Sequence, residues 1–549
     1  RQKQVVLLML EDSQLKNCIK VSNSPDPVCM DEAAAIQAVQ EMEVYPFKEE
    51  PNNLRYPHWV TYIRALLEEK YDPQVIYRSG FNVYTTLDPA IQDQAQAILS
   101  QQVTSLVDHN AHNGALVAIQ PSTGEILAMV GSPDFNDKDH AGEINMAISP
   151  RQPGSSIKPL TYVAAFEKGW TPSTLIWDVP SNFPPSGDPN DTREPYQPVN
   201  YDGRFHGPVT VRTALANSYN IPAVKALEYV GIYNEGGLIP FAKKLGIDTF
   251  TRPDYGLALT LGGGEVTLLE MTSAFGTFAN AGKRIPPVAI TRITDFKGNV
   301  VFENQPTAGQ QVVRSEHAFL ISSILSDNVA REPMFGANSV LNLPFQVAAK
   351  TGTTNDFRDN WTLGYTPDLA VGVWIGNADY TEMQDVTGLT GAAPAWSNFM
   401  QFAVPHLTNG NPTPFQRPSG IEERVICAIS GAEPSESCPQ QRAEFFASGQ
   451  PPRAKEDDLW KKVSIDTWTG LRASAECSEF TEEKSTLNVE DPWAISWIKD
   501  TEEGRAWAAS VGFNWPITFV PLRECASSDP HPQILFAGLS DNQTVTSSP

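Results

Sequence analysis

Arg151-Gln152-Pro153-Gly154-Ser155-Ser156-Ile157-Lys158-Pro159-Leu160 is the stretch on which the reading of this 549-residue chain turns. Pro-Gly is a turn signal. Behind it, apolar residues recur at Ile157, Leu160, Val163 and Ala164, with Phe166 beyond, close to the helical period. Gly169, after Lys168, stands where a C-terminal cap is expected. The spacing predicts a helix opened by Ser155, with Pro159 in its first turn, where proline does least harm. Ser155 and Lys158, three residues apart, then share one helix face, so the amine can reach the hydroxyl. A helix N-terminus also favours negative charge developing there. A hydroxyl beside an amine is an activated nucleophile of the kind acyl transfer uses.

Two later triplets extend the set. Ser218-Tyr219-Asn220 lies in Ala214-Leu215-Ala216-Asn217-Ser218-Tyr219-Asn220-Ile221-Pro222, read as a short helix breaking into a loop before a proline. It offers a second hydroxyl and an amide. Lys350-Thr351-Gly352 is the chain's only Lys-Thr-Gly and follows the apolar run 345–349, an expected buried strand. Trp361-Thr362-Leu363-Gly364-Tyr365 and Leu369-Ala370-Val371-Gly372-Val373-Trp374-Ile375 continue an antiparallel set, with Thr366-Pro367-Asp368 as the turn between them. Gly352, lacking a Cβ, is expected to let a substrate backbone lie close along its strand; a bulge is the purely structural alternative.

Each triplet alone is weak, and order and context carry the signal. Ser13–Lys16 and Ser496–Lys499 repeat the first pattern without a turn ahead or a Lys-Thr-Gly behind, and read as solvated surface. Ser326-Asp327-Asn328 repeats the second, but it closes the apolar run 319–325 as a helix exit built from turn formers. Ser218-Tyr219-Asn220 is therefore the preferred member.

The three triplets resemble those of the transpeptidase domain of penicillin-binding proteins, of the class A, bifunctional type. Further segments fit that resemblance: Val83-Tyr84-Thr85-Thr86-Leu87-Asp88-Pro89-Ala90-Ile91-Gln92, the hairpin-like 114–131, Asn200-Tyr201-Asp202-Gly203, Phe278-Ala279-Asn280-Ala281-Gly282, and Ala349 through Asp356. They cover about residues 80–405. The resemblance implies an α/β, serine β-lactamase/transpeptidase-like fold, an antiparallel sheet flanked by helices. A partial N-terminal helical segment and a C-terminal extension complete the expected architecture.

For the site, the resemblance implies Ser155 as nucleophile and Lys158 as its base, with Ser218 relaying a proton and Asn220 holding the substrate amide. Lys350, with the hydroxyls of Thr351 and Thr353, would bind a terminal carboxylate. Gly352 would let the substrate lie along the strand, and the amides of Ser155 and Thr353 would form the oxyanion hole. The implied reaction is D,D-transpeptidation of peptidoglycan stem peptides ending in D-Ala-D-Ala, without metal or cofactor. Glycan strands are expected as partners, and β-lactams as mimics that trap Ser155. A D,D-carboxypeptidase and a non-catalytic β-lactam sensor or scaffold are the alternatives. A β-lactamase of the kind that deacylates with a Glu is disfavoured: Glu483-Lys484-Ser485-Thr486-Leu487-Asn488 is one residue too long for the Glu-x-x-Leu-Asn motif.

The chain departs from the class A pattern at its start. It has no apolar run long enough to span a bilayer, and no glycosyltransferase motif. Residues 1–45 are expected to be the C-terminal remnant of a glycosyltransferase domain, 46–80 a linker, 81–410 the transpeptidase domain and 411–549 an extension of unassigned function. An N-terminal anchor, and with it the extracytoplasmic face of the cell membrane, would belong to a longer protein. The net charge of −24 argues against nucleic acid and anionic lipid as partners. Hydrophobic content of 41% suffices for real cores. The even count of six cysteines suggests disulfides in an oxidising space, with pairing left open and free buried thiols as the alternative. Trp460, Trp468, Trp493, Trp497, Trp507 and Trp515 suggest either core or a glycan-stacking face, core being the commoner fate. The tail from Asp541 reads as disordered.

Overall fold

The computed structural model describes residues 2–21, 24–44 and 54–531; residues 46–53 of the expected linker, and the tail from Asp541, lie outside them. The chain divides into two compact units, Arg1–Tyr56 and Pro57–Pro549. In the smaller unit, helices Gln2–Lys16 and Glu32–Val44 are joined by the Cys18–Cys29 disulfide. Ser13 Oγ accepts from the Met30 amide at 2.7 Å. Val5, Leu7, Leu8 and Leu15 of its first helix are exposed.

Residues 57–79, expected as linker, instead form helices Pro57–Lys70 and Pro73–Ser79 of the larger unit. The first buries Trp59, Ile63 and Leu67, spaced three to four apart along one face. This amphipathic stripe was present in the sequence and was overshadowed by the polar stretch before it.

The larger unit is built on a five-stranded antiparallel sheet. Its spatial order is Ala348–Thr353, Asp359–Tyr365, Ala370–Gly376, Asn113–Ile119, Ile126–Val130. The three inner strands are buried along their whole length, so both faces are covered. On one face Leu116, Ala118, Val371 and Val373 pack with Ile91 and Leu99 of helix Pro89–Thr104 and with Trp396 and Phe399 of helix Ala392–Thr408. On the other lies helix Leu268–Ala279, whose Thr272 stands where a side chain on Gly372 would be. The Lys350 strand is an edge strand, so one row of its backbone groups is free of sheet partners.

Beyond residue 410 two further hairpins form, Ile421–Cys427 with Gln441–Ala447 and Trp460–Asp466 with Thr481–Leu487, followed by helices Pro492–Asp500 and Glu502–Ser510. The Cys427–Cys438 and Cys477–Cys525 disulfides staple this region, so all six cysteines are paired. The tryptophans divide: Trp497 and Trp507 pack with Trp177 in a core cluster that Trp460 flanks, whereas Trp468, Trp493 and Trp515 are exposed. No helix among the described residues is long and apolar enough to cross a membrane.

Candidate active site

Ser155 sits in a 3-10 turn, Gly154–Ile157, and the α-helix proper, Lys158–Glu167, begins one residue later. The helix ends at Lys168 with Gly169 at φ 107°, as its sequence position suggests. The Ser155 turn is wedged against the Lys350 strand, backbone on backbone. A β-carbon built on Gly352 would lie 2.2 Å from the Pro153 carbonyl oxygen, and one on Gly154 would lie 2.7 Å from that of Thr353. Gly352 is thus glycine because the Ser155 turn occupies its Cβ space. This replaces the expectation that the room serves a substrate backbone.

The Thr354 amide donates across the sheet to Asp359 at 3.0 Å. Alternation along an antiparallel strand then turns the Thr353 N–H outward to the free edge, where the Ser155 turn lies. The Thr353 hydroxyl accepts from the Gly388 amide at 2.9 Å. Thr351 and Thr353 line, with Ser155, Ser218 and Asn220, a cavity of about 280 Å³. Tyr201, Phe335, Asp356 and Leu389 also line it, and sequence reasoning gave none of these a role.

Ser218 stands between helices Val211–Ala216 and Asn220–Val230 at φ 61°, a left-handed conformation costly for a residue with a side chain. Asn220 therefore opens a helix and does not lie in the expected loop. The neighbouring Asn217 fixes the turn from behind, donating to Ala330 O at 2.7 Å and accepting from the Met334 amide at 3.2 Å.

Both lysines lie beneath this turn and not in the open cavity. Lys158 Nζ donates to Ser218 O at 2.6 Å, Asn220 Oδ1 at 2.7 Å and Tyr219 O at 3.0 Å, and lies 3.4 Å from Ser218 Oγ. Lys350 Nζ donates to that same Ser218 Oγ at 2.8 Å and to Thr351 O at 2.8 Å. One hydroxyl thus bridges two buried amines. Among the described residues, the Ser155 hydroxyl makes no hydrogen bond. Burial, and then the charge of Lys350, hold the Lys158 amine well below the usual lysine range, with Asp178 pulling the other way. Burial, and then Arg331, bring Lys350 down to about 7. Three acceptor oxygens around Lys158 favour its charged form, while burial beside a second amine favours the neutral one.

Ser326-Asp327-Asn328 plays no part here. Ser326 ends helix Ser315–Leu325, and Asp327 caps the next helix while pairing with Arg212 at 3.1 Å.

The family model described as the penicillin binding protein transpeptidase domain matches residues 114–401, and that of the penicillin-binding protein 1A C-terminal domain matches residues 417–459. The chain is 32% identical over 422 residues to penicillin-binding protein 2D of Bacillus subtilis, covering 75% of this chain and 58% of that one. It is 36% identical over 298 residues to penicillin-binding protein 1A of Neisseria lactamica, covering 53% and 36%. The chain thus spans about half the length of the curated relatives it matches. Among solved structures, penicillin-binding protein 1A from Haemophilus influenzae superposes with a TM-score of 0.60 at 22% identity, covering 82% of each chain. The PonA1 protein of Mycobacterium tuberculosis, in complex with penicillin V, gives 0.55 at 23%, covering 66% of this chain and 96% of that one. These two likenesses concern the fold. With the transpeptidase model matching over half its length, the chain belongs to the penicillin-binding protein transpeptidase family, in its class A branch.

Proposed function

We propose that the chain carries out D,D-transpeptidation of peptidoglycan stem peptides through a Ser155 acyl-enzyme. The observation that carries this reading is the Ser218 hydroxyl shared by two buried amines beside the cavity that Ser155 lines. Neutral Lys158 takes the Ser155 proton as Oγ attacks the penultimate D-Ala carbonyl. The oxyanion forms against the Ser155 and Thr353 amides. The carbon–nitrogen bond then breaks, and the proton passes from Lys158 through Ser218 to the leaving D-Ala amine. Asn220 holds the substrate amide, and Thr351 and Thr353 hold the terminal carboxylate, whose negative charge favours the protonated form of Lys350 beneath them. An amine from a second stem peptide attacks the ester, gives up its proton along the same relay and releases Ser155, leaving a cross-link. β-Lactams present the same carbonyl and carboxylate and acylate Ser155.

Residues 1–45 are read as the end of a preceding glycosyltransferase domain, a reading supported by the exposed Val5, Leu7, Leu8 and Leu15. The three disulfides support an extracytoplasmic location.

Intact-mass spectrometry after incubation with a penicillin tests the reading. A single stable adduct is expected on the wild type and none on Ser155→Ala. Hydrolysed drug without an adduct would replace the transpeptidase with a lactamase, and intact drug without an adduct would leave a scaffold.

A further inference from the structure

The Ser218–Asn220 turn rests on a cluster outside the three triplets. Asp178, fully buried, ends strand Leu175–Asp178, which pairs with Gly207–Thr210. Its Oδ2 accepts from His206 Nδ1 at 2.6 Å, the His206 amide at 3.1 Å and Asn200 Nδ2 at 2.7 Å. His206 Nε2 lies 3.2 Å from Asp202 Oδ2. Each ring nitrogen thus faces a carboxylate, which only a doubly protonated imidazolium satisfies. The ring lies flat on Tyr219, with centroids 3.9 Å apart and planes 13° apart, a cation stacked on an aromatic face. Asn200 Oδ1 accepts from the Asn220 amide at 2.7 Å, and Val199 O accepts from Asn220 Nδ2 at 2.7 Å. Tyr219 and Asn220 supply two of the three oxygens to which Lys158 donates, Ser218 O being the third.

From these contacts we infer that His206, acting with Asp178 and Asn200, is the positioning residue of the Ser218–Asn220 turn, and that its positive charge is required for rapid acylation of Ser155. The inference rests on the transpeptidase reading above. Two effects combine. The stacked ring and the Asn200 bond hold the Tyr219 and Asn220 oxygens where they orient the Lys158 amine. The imidazolium also offsets the charge of Asp178, which otherwise favours protonated Lys158 and so removes the base.

Among the described residues, the charged groups facing His206 are Asp178 from the neighbouring strand and Asp202 from its own loop, with Tyr219 stacked on the ring. Next to His206, the C-terminal helices bring two indole rings against Gly207: a β-carbon there would lie 3.3 Å from Trp497 and 3.9 Å from Trp507. Burial alone would lower the His206 pKa, and the two carboxylates more than reverse this and raise it. A raised pKa means the charge persists to higher pH than on a free imidazole and is lost as pH climbs through that value.

The test is the second-order rate of labelling by a fluorescent penicillin, followed between about pH 6 and pH 9.5. It compares the wild type with Ser155→Ala, His206→Phe and Asp202→Asn. His206→Phe keeps the stacked ring and loses the charge. It is expected to label about tenfold more slowly at neutral pH, with the gap closing as the wild type loses its own proton. Asp202→Asn removes one of the two carboxylates at the partly exposed rim and is expected to move the alkaline fall to lower pH. A His206→Phe rate reduced by the same factor at every pH, or unchanged, overturns the inference, as does an unmoved alkaline fall in Asp202→Asn. The second variant decides where the first fails to fold. A wild type that does not label overturns the transpeptidase reading and this inference together; failure of the inference alone leaves a wild type that labels and a Ser155→Ala that does not.

Discussion

The turn carrying Ser155 and the turn carrying Ser218 face one cavity but are fixed by different means. Around Ser155, Gly154 and Gly352 bring two backbones into contact, and no charged side chain takes part in the wedge. Around Ser218 the backbone is strained at φ 61° and is held by two lysines, an asparagine and the Asp178–His206 pair. A steric wedge is insensitive to pH and fails outright when a methyl group enters it. A charge-held turn changes by degrees and titrates. In the proposed mechanism Ser155 therefore keeps a fixed place, while the groups proposed to move its proton respond to their electrostatic surroundings.

Ser218→Ala breaks the contrast where it is sharpest. With the bridging hydroxyl gone, the two amines lose their common partner and, in the proposed mechanism, the leaving amine loses its proton donor. Turnover of a D-Ala-D-Ala peptide is expected to fall by about 10² to 10⁴, the usual worth of a positioned proton-transfer group. Ser218→Gly relaxes the φ strain and still lacks the hydroxyl. It should melt no lower than Ser218→Ala and be equally slow; recovery of rate in the glycine variant would shift the role of Ser218 from chemistry to backbone geometry.

On the other side, Gly352→Ala forces a methyl group into the Pro153 carbonyl. Both partners are backbone, so the turn must move as a whole, and displacement by about 1 Å is expected to cost about 100-fold in acylation. The loss should be the same across the pH range. A loss that varied with pH would mean that the wedge also sets the protonation of Lys158, and the two turns would no longer be independent.

What the sequence made legible follows the same division. Ser155, Lys158, Ser218, Asn220 and Lys350 were each found within a short triplet, and the structure gathers them around one cavity. The sheet was readable because its strands are continuous apolar runs. Asp178 and His206 were not found: they come from different segments, have no periodicity and act only through each other. Helix Pro57–Lys70 was missed behind a Pro- and Asn-rich stretch. Gly352 was correctly marked as a close approach, but the chain that approaches is distant in sequence.

A smaller effect concerns stability. Lys350 sits at about 7 when folded against an ordinary 10.5. Between those values the unfolded chain holds a proton that the folded one lacks, so stability rises with pH across that window, and the penalty is complete below about 7. The melting temperature is expected to climb by a few degrees over the lower part of the window, and Lys350→Met should flatten that climb. The Ser155 wedge contributes nothing to the slope, so equal slopes in both proteins would assign it to other groups.

The smallest expected effect discriminates between the two Ser-x-Asn triplets. Asp327 belongs to a third arrangement, a buried ion cluster in which Arg212 binds Asp327 at 3.1 Å and Glu444 at 2.5 Å. Glu444 comes from the hairpin Ile421–Cys427 with Gln441–Ala447, so this cluster ties the C-terminal region to helix Val211–Ala216, just ahead of Ser218. Ser326 itself only ends a helix, and Ser326→Ala should leave penicillin labelling unchanged and stability within about 0.5 kcal/mol. Arg212→Met, by contrast, strands Glu444 with Arg442 as its remaining partner at 3.1 Å. It is expected to cost about 3 kcal/mol of stability, because a buried charge loses most of its compensation. If that variant also labels more slowly while still folded, the charge-held turn extends through helix Val211–Ala216 into the C-terminal region. If labelling is untouched, the cluster is a fastening, and the electrostatics that govern Ser218 end at Asp178.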